Sequence, residues 1–239
     1  MALLKFFSDV LDKSDPSHFT KYYKDFRLNH QERTEISELK CDILQKLTKA
    51  SSQEINDEVI KYFVHILQSQ QFSTKVNSKV LKALISNKNG KTVNEELTKL
   101  LEAAPEQIVP LFLQNSRNLP SKNFDTQICQ KICENSFAYC ETDQLTNILY
   151  LLCHNIDMPN SPYILEKLLE TLTEDDLKAQ GQLLLLTGVK VFAKSPAETQ
   201  HILGKIFEIC AQNGMEEKVE FYGKLLAHQT ELFRNIISK

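Results

Sequence analysis

Apolar residues recur along this chain at intervals of three and four residues, which is the spacing of one face of an α-helix. The stripe is clearest in three stretches, 38–47, 59–67 and 202–210. In the first of these, Leu39, Ile43 and Leu47 share a face. No segment shows the sustained apolar–polar alternation that is typical of a half-buried β-strand. The pattern therefore predicts an all-α protein.

Breaks in this periodicity divide the chain into many short helices. We predict helices near 2–12, 16–28, 31–49, 53–69, 73–86, 92–103, 105–117, 122–139, 142–155, 161–171, 174–194, 196–212 and 215–236. Short helices with short connections favour an α-solenoid of antiparallel helix pairs, HEAT- or armadillo-like, with one pair per about 35–40 residues. A compact helical bundle is the alternative fold. No linker is evident, so we expect one solenoid segment over 1–239.

Two helix starts carry strong capping signals. Ser195 precedes Pro196 and Glu198, which predicts a serine N-cap with proline in the first helical position. Thr173 precedes three carboxylates, which suit the positive end of a helix dipole.

The first helix carries more apolar residues than one neighbouring helix can cover. The residues concerned are Leu3, Leu4, Phe6, Phe7, Val10 and Leu11. Because a solenoid repeat exposes an apolar face where no neighbour covers it, we expect exposed apolar surface at this helix.

Composition narrows the class of protein further. With only 6 Gly and 7 Pro in 239 residues, the chain lacks the frequent turns of an all-β protein. It has no run of about 18 apolar residues, and Asp9 comes too early for a signal peptide. We therefore expect its six cysteines to be reduced cytoplasmic thiols. A net charge of −3 gives no indication of nucleic-acid binding.

No set of residues forms a catalytic, cofactor-binding or metal-binding motif. Cys129 and Cys133 share a helix face, and Cys140, Cys153 and His154 follow, but the usual Cys-x-x-Cys pair is missing and the surroundings are apolar. We interpret these thiols as small packing residues. No phosphate-binding glycine loop or histidine-based catalytic pattern is present. We therefore predict a protein that is not an enzyme and needs no cofactor.

One charge feature stands out between residues 68 and 94, where there are five lysines and no acid. They are Lys75, Lys79, Lys82, Lys88 and Lys91. The first three share a helix face. A solvated face is the ordinary interpretation of such a run, and a patch facing anionic lipid is the alternative.

Several short motifs follow one another in an order shared with a known family. They are YYKDF at 22–26, LKCDIL at 39–44, PNSPYILEKLL at 159–169, QLLLLTGVKVF at 182–192, KSPAETQ at 194–200 and FYGKLL at 221–226. The chain resembles the trunk of the β-type large subunits (β-adaptins) of clathrin-adaptor complexes, in which similar motifs follow one another in the same order. The motif at 159–169 is similar to the corresponding helix of the β subunit of the fourth adaptor complex.

This resemblance implies both an architecture and a role. The chain would correspond to the later half of an adaptin trunk, without hinge or appendage. It would be a non-enzymatic scaffold in intracellular protein transport and cargo sorting, with another large adaptin, a medium subunit and a small subunit as partners. It would act in the cytoplasm, held by its complex on the cytosolic face of Golgi or endosomal membranes. A HEAT/armadillo-type protein-binding module unrelated to vesicle coats remains the alternative.

Overall fold

The computed structural model describes residues 1–119, 125–155 and 157–228, and it is helical through almost all of them. These ranges contain thirteen α-helices, two 3₁₀ segments and no β-strand, which confirms the all-α class. In chain order the elements are α1 (Ala2–Lys13), a 3₁₀ segment (Pro16–Phe26), α2 (Thr34–Ala50), α3 (Gln53–Ser69), α4 (Thr74–Ile85), α5 (Gly90–Ala103), α6 (Pro105–Asn115), a 3₁₀ turn (Ser116–Asn118), α7 (Thr126–Tyr139), α8 (Thr142–His154), α9 (Ser161–Thr171), α10 (Glu174–Ala179), α11 (Gly181–Lys194), α12 (Pro196–Gln212) and α13 (Glu216–His228).

The chain divides into two compact units, Met1–Ile128 and Cys129–Lys239. In the first unit, each helix from α2 to α4 packs against the next helix and the next but one, and α5 packs against α6. In the second unit, α8 and α9 follow the same rule when the short α10 is counted together with α11. Further along, α11 packs against α12, and α12 packs against α13. Packing between near neighbours in sequence is that of a solenoid repeat. The continuity of one solenoid over 1–239 stays a prediction.

Hydrogen bonds between stacked helices reveal the length of the repeat. Side chains on one helix bond to the helix two places earlier, with α10 counted together with α11, or to the turn that follows it, and the partners lie 37 or 38 residues apart. In the first unit these bonds join Lys79 to Asp42 and Asn115 to Ser78. In the second unit they join Thr187 to Leu149, Lys190 to Cys153 and Lys194 to Asp157. The predicted interval between helix pairs is confirmed.

The structure has a helix at the second predicted position, 16–28, but it is a 3₁₀ helix rather than an α-helix. Residues Pro16–Phe26 form a 3₁₀ segment, and its start is capped by Asp15, whose carboxylate accepts a bond of 2.9 Å from the Ser17 amide. Phe26 stacks on Phe7 of α1 with ring centroids 4.9 Å apart. A 3₁₀ run of this length is uncommon, because its hydrogen-bond geometry is poorer than that of an α-helix. The aromatic contacts with α1 offset that disadvantage.

The predicted helix 174–194 is also corrected, since the structure breaks it at Gln180 into α10 and α11. Gly181 follows the break, and a Cβ added there would lie 2.4 Å from the Met215 side chain. The Gly181 carbonyl accepts a bond from the Cys210 thiol at 3.6 Å. Glycine both weakens the helix by about 1 kcal/mol and lets the chain approach its neighbour closely.

The two capping predictions have different outcomes. Thr173 forms a full capping box with Asp176, as its hydroxyl and the Asp176 carboxylate each accept a backbone bond. Ser195 occupies the predicted N-cap position of α12, and Pro196 follows it as predicted, but the Ser195 hydroxyl makes no capping bond. The backbone of Ser195 lies at ψ 68°, outside the extended conformation that N-cap residues typically adopt.

The core of each unit is built from aliphatic side chains with few aromatic ones. Phe63 and Phe112 are the largest fully buried side chains in the first unit, where Ile43 and Leu84 also lie.

None of the described helices has the length and apolar content needed to span a bilayer.

The close contact between α11 and α12 gives a first prediction. A Cβ at Gly188 of α11 would lie 2.6 Å from Ile206 Cδ1 of α12, whereas a Cβ at Gly204 would meet nothing within 4 Å. Gly188→Val should therefore lower the free energy of unfolding by about 1–3 kcal/mol through overpacking. Gly204→Val, the matched control, should change it by less than about 0.5 kcal/mol. Urea denaturation followed by circular dichroism measures both, and equal midpoints would contradict the packing argument.

Candidate functional site

Two of the five lysines in the predicted basic patch are held in ion pairs across the α2–α4 contact. Lys75 Nζ lies 3.0 Å from Glu38 Oε2, and Lys79 Nζ lies 2.6 Å from Asp42 Oδ2. The second pair is about one-third exposed on each side. Lys79 therefore helps to join α4 to α2, whereas Lys75, which is 69% exposed, holds its ion pair at the surface.

The other three lysines cluster at the end of α4 and the start of α5, and all three are exposed. Lys82 lies in the last turn of α4, and Lys91 is the second residue of α5. Lys88 Nζ donates a bond of 2.8 Å to the carbonyl of Lys49, the exposed lysine in the last turn of α2. We call Lys49, Lys82, Lys88 and Lys91 the lysine edge.

The basic patch predicted from the sequence does not include Lys49, although the sequence contains a signal that places Lys49 beside it. Lys49 precedes Lys88 by 39 residues, close to the repeat length, so the repeat brings the ends of α2 and α4 together. Knowing the repeat length would have identified Lys49 as a neighbour of the patch. Within the described ranges, no ion pair involves any of the four lysines of the edge.

The cysteines behave as packing residues. Cys129, Cys133 and Cys153 are buried, and Cys140 is half-buried. Burial raises the pKa of the Cys140 thiol to about 11 and that of Cys41 to about 12. The described part of the chain contains no group of three potential metal ligands. Thiols with raised pKa are poor nucleophiles at neutral pH, because the thiolate is the reactive form.

Two of the six histidines make structural contacts. His201 Nε2 lies 2.9 Å from Glu166 Oε1 across α12 and α9. His154 Nδ1 lies 2.8 Å from the Tyr150 carbonyl one turn earlier in α8. Neither contact brings a hydroxyl or thiol nucleophile to the imidazole ring, which an acyl-transfer site would require.

An exposed apolar surface on α1 matches the expectation for the first helix. Leu3 is 82% exposed, Phe6 is 68% exposed and Met1 is 60% exposed. On the other face of α1, Leu11 is buried and Phe7 contacts Phe19 and Phe26. The expected exposure is confirmed for Leu3 and Phe6 and is wrong for Leu11. We call Met1, Leu3 and Phe6 the α1 patch.

Comparison with known proteins points to adaptor complexes. The chain is similar to AP-4 complex subunit beta-1 of Mus musculus, with 26% identity over 226 residues. The match covers 88% of this chain but 29% of the relative, so the chain spans less than a third of that protein's length. No family model matches the chain. The similarity supports the resemblance to adaptin-type β subunits at the level of the family.

The burial of the thiols gives a second prediction. At neutral pH, iodoacetamide should label the native chain slowly and at Cys140, because the other five thiols are buried. Unfolding in guanidinium should expose all six. Mass spectrometry of digested protein locates the labels, and Cys140→Ser should remove the native labelling. Rapid labelling at Cys129 or Cys133, or stoichiometric zinc in the purified protein, would contradict our interpretation of these residues.

The α1 patch gives a third prediction. Contiguous exposed apolar side chains favour association, so the chain should self-associate as its concentration rises. Replacing Leu3 and Phe6 with serine should return it to monomer in sedimentation velocity. Tyr163→Ser is the control, because Tyr163 is 60% exposed but lies on α9. A wild-type chain that stays monomeric at high concentration would overturn this prediction.

Proposed function

We propose that this chain is part of a β-type large subunit of a vesicle-coat adaptor complex. In that role it is a non-enzymatic scaffold in intracellular protein transport and cargo sorting. The observation that supports this most is the similarity to the mouse AP-4 subunit, because it extends over 226 residues rather than over one motif. The motif at 159–169, similar to the fourth adaptor complex, favours that complex among the alternatives.

Helical repeats suit such a role. A stack of helix pairs exposes long surfaces on which other subunits can lie, and each repeat needs only its neighbours for stability. Under the proposal, those subunits are a second large adaptin, a medium subunit and a small subunit. The complex would hold the chain on the cytosolic face of Golgi or endosomal membranes.

Co-purification tests the proposal and is our fourth prediction. A tagged full-length chain expressed in its own cells should recover a medium and a small adaptor subunit, identified by mass spectrometry. The Leu3→Ser, Phe6→Ser variant is a suitable second bait, because it removes the α1 patch that could capture unrelated proteins. The adaptor subunits should remain bound to this variant.

Two results would contradict the adaptor role. The first is loss of the adaptor subunits with the variant bait, which would attribute their capture to the exposed α1 patch. The second is recovery of a different stable partner set by both baits, without adaptor subunits. That result would favour a HEAT/armadillo-type module unrelated to vesicle coats.

A further inference from the structure

A groove in the first unit lies between the turn that follows α3, the start of α4 and the middle of α6. Its volume is about 330 Å³, which is within the range of small-ligand sites in proteins. Four of the side chains that line it end in amides, those of Gln70, Asn77, Gln107 and Gln114. Such an amide offers two N–H donors and one carbonyl acceptor. We call the surface that these four residues line the amide groove.

Two of these amides carry a buried oxygen that lacks a hydrogen-bond donor. Among the described residues, three buried side-chain oxygens accept no hydrogen bond, and two of them are Asn77 Oδ1 and Gln107 Oε1. An unpaired buried acceptor costs stability, so most buried polar atoms in folded proteins are paired. The presence of two such acceptors in one groove indicates a ligand that donates hydrogen bonds.

The same two amides are held only by long hydrogen bonds. Asn77 Nδ2 donates to the Phe72 carbonyl at 3.4 Å, and Gln107 Nε2 donates to Glu106 Oε1 at 3.4 Å. An N–H···O bond in a protein is usually about 2.9–3.0 Å long. The last torsion of an amide side chain also has broad minima. Each oxygen can therefore turn towards a donor that enters the groove, at the cost of one weak bond.

The described residues that line the groove include no charged side chain. Apart from the amides they are one threonine and five apolar residues, namely Thr74, Leu67, Phe72, Ile108, Pro110 and Leu111. A phosphate or carboxylate ligand would need a cation in this lining, and a metal ion would need carboxylates. The lining therefore suits a ligand that is uncharged where it enters the groove and that carries an apolar group.

An extended polypeptide backbone has these properties. It is uncharged and carries one N–H donor and one carbonyl acceptor per residue, so it can bond to both ends of a side-chain amide. Its side chains point alternately to opposite sides, so one apolar side chain can enter the groove while the neighbouring backbone faces the amides. A helix is unsuitable, because its backbone donors are used internally. Gln70 and Gln114 are exposed and can bond to the flanking residues of the segment.

We propose that the amide groove binds an extended, uncharged segment of another protein through the backbone of that segment. Asn77 and Gln107 accept hydrogen bonds from its backbone N–H groups. The buried side chains of Leu67, Ile108 and Leu111 contact one of its apolar side chains. The site lies entirely within the first unit and does not depend on the adaptor role.

Nuclear magnetic resonance of the full chain, with isotope-labelled side-chain amides, tests this proposal. The probe is a pool of acetyl- and amide-capped pentapeptides with an apolar residue at the centre and serine or threonine on both sides. At millimolar concentration the pool should shift the side-chain amide resonances of Asn77 and Gln107. A second pool with N-methylated backbone amides should not shift them, because it keeps the apolar residues but lacks the donors.

A double variant separates binding from stability. Asn77→Leu, Gln107→Met removes both unpaired oxygens, and the resonances of Gln70 and Gln114 then report binding. The variant should bind the pool about twenty-five times more weakly, because each of the two lost hydrogen bonds contributes about fivefold. Its melting temperature, followed by circular dichroism, should not fall, because the change removes two buried acceptors that have no donor.

The matched control is Asn115→Leu in the same helix as Gln107. Asn115 Nδ2 donates to Ser78 Oγ at 3.0 Å and to the Leu111 carbonyl at 2.7 Å. Because these bonds have ordinary lengths, the control should melt about 2–4 °C lower than the wild type. It should bind the peptide pool as the wild type does, since Asn115 does not line the groove.

Three results would overturn the proposal. The first is a capped pool that leaves the resonances of Asn77 and Gln107 unchanged. The second is an equal shift with the N-methylated pool, which would make the groove an apolar pocket that does not recognise the backbone. The third is a double variant that melts as low as the control or lower, which would assign the two amides a structural role.

Discussion

Within each unit, helices are stacked on the helix about one repeat before them. The bonds at an interval of 37 or 38 residues connect elements that are two places apart, and they occur in both units. An isolated amphipathic helix of 11 to 17 residues is marginal in water, because most helical stability in proteins comes from packing. The stacking of one repeat on the previous one therefore determines where the cores lie and which polar side chains reach solvent.

The sequence predicts this architecture well where a local pattern carries the information. Apolar spacing located the helices, since a face recurring every three or four residues is sufficient to identify one. It failed at Gln180 and over Pro16–Phe26. In both places the local backbone structure depends on contacts with residues distant in the sequence. Met215 lies close to Gly181, and Phe7 stacks on Phe26. A single-sequence pattern contains no information on such distant partners.

The candidate site was only half predictable for the same reason. A run of lysines without acids is visible in the sequence, but the pairing of Lys75 and Lys79 with acids of α2 is not. Nor can local spacing connect Lys49 with Lys88, which are 39 residues apart. The repeat length supplies the missing information, because it specifies which residues of consecutive repeats become neighbours.

The same constraint explains how a resemblance persists at 26% identity. Core positions accept any apolar side chain of suitable volume, so they can change without altering the stack. Several inter-repeat bonds end on backbone carbonyls, as in Thr187 to Leu149 and Lys190 to Cys153, and a carbonyl is present whatever the residue. Such a scaffold can diverge widely and keep its repeat. The residues that select a ligand then lie among the exposed side chains that the stack does not use.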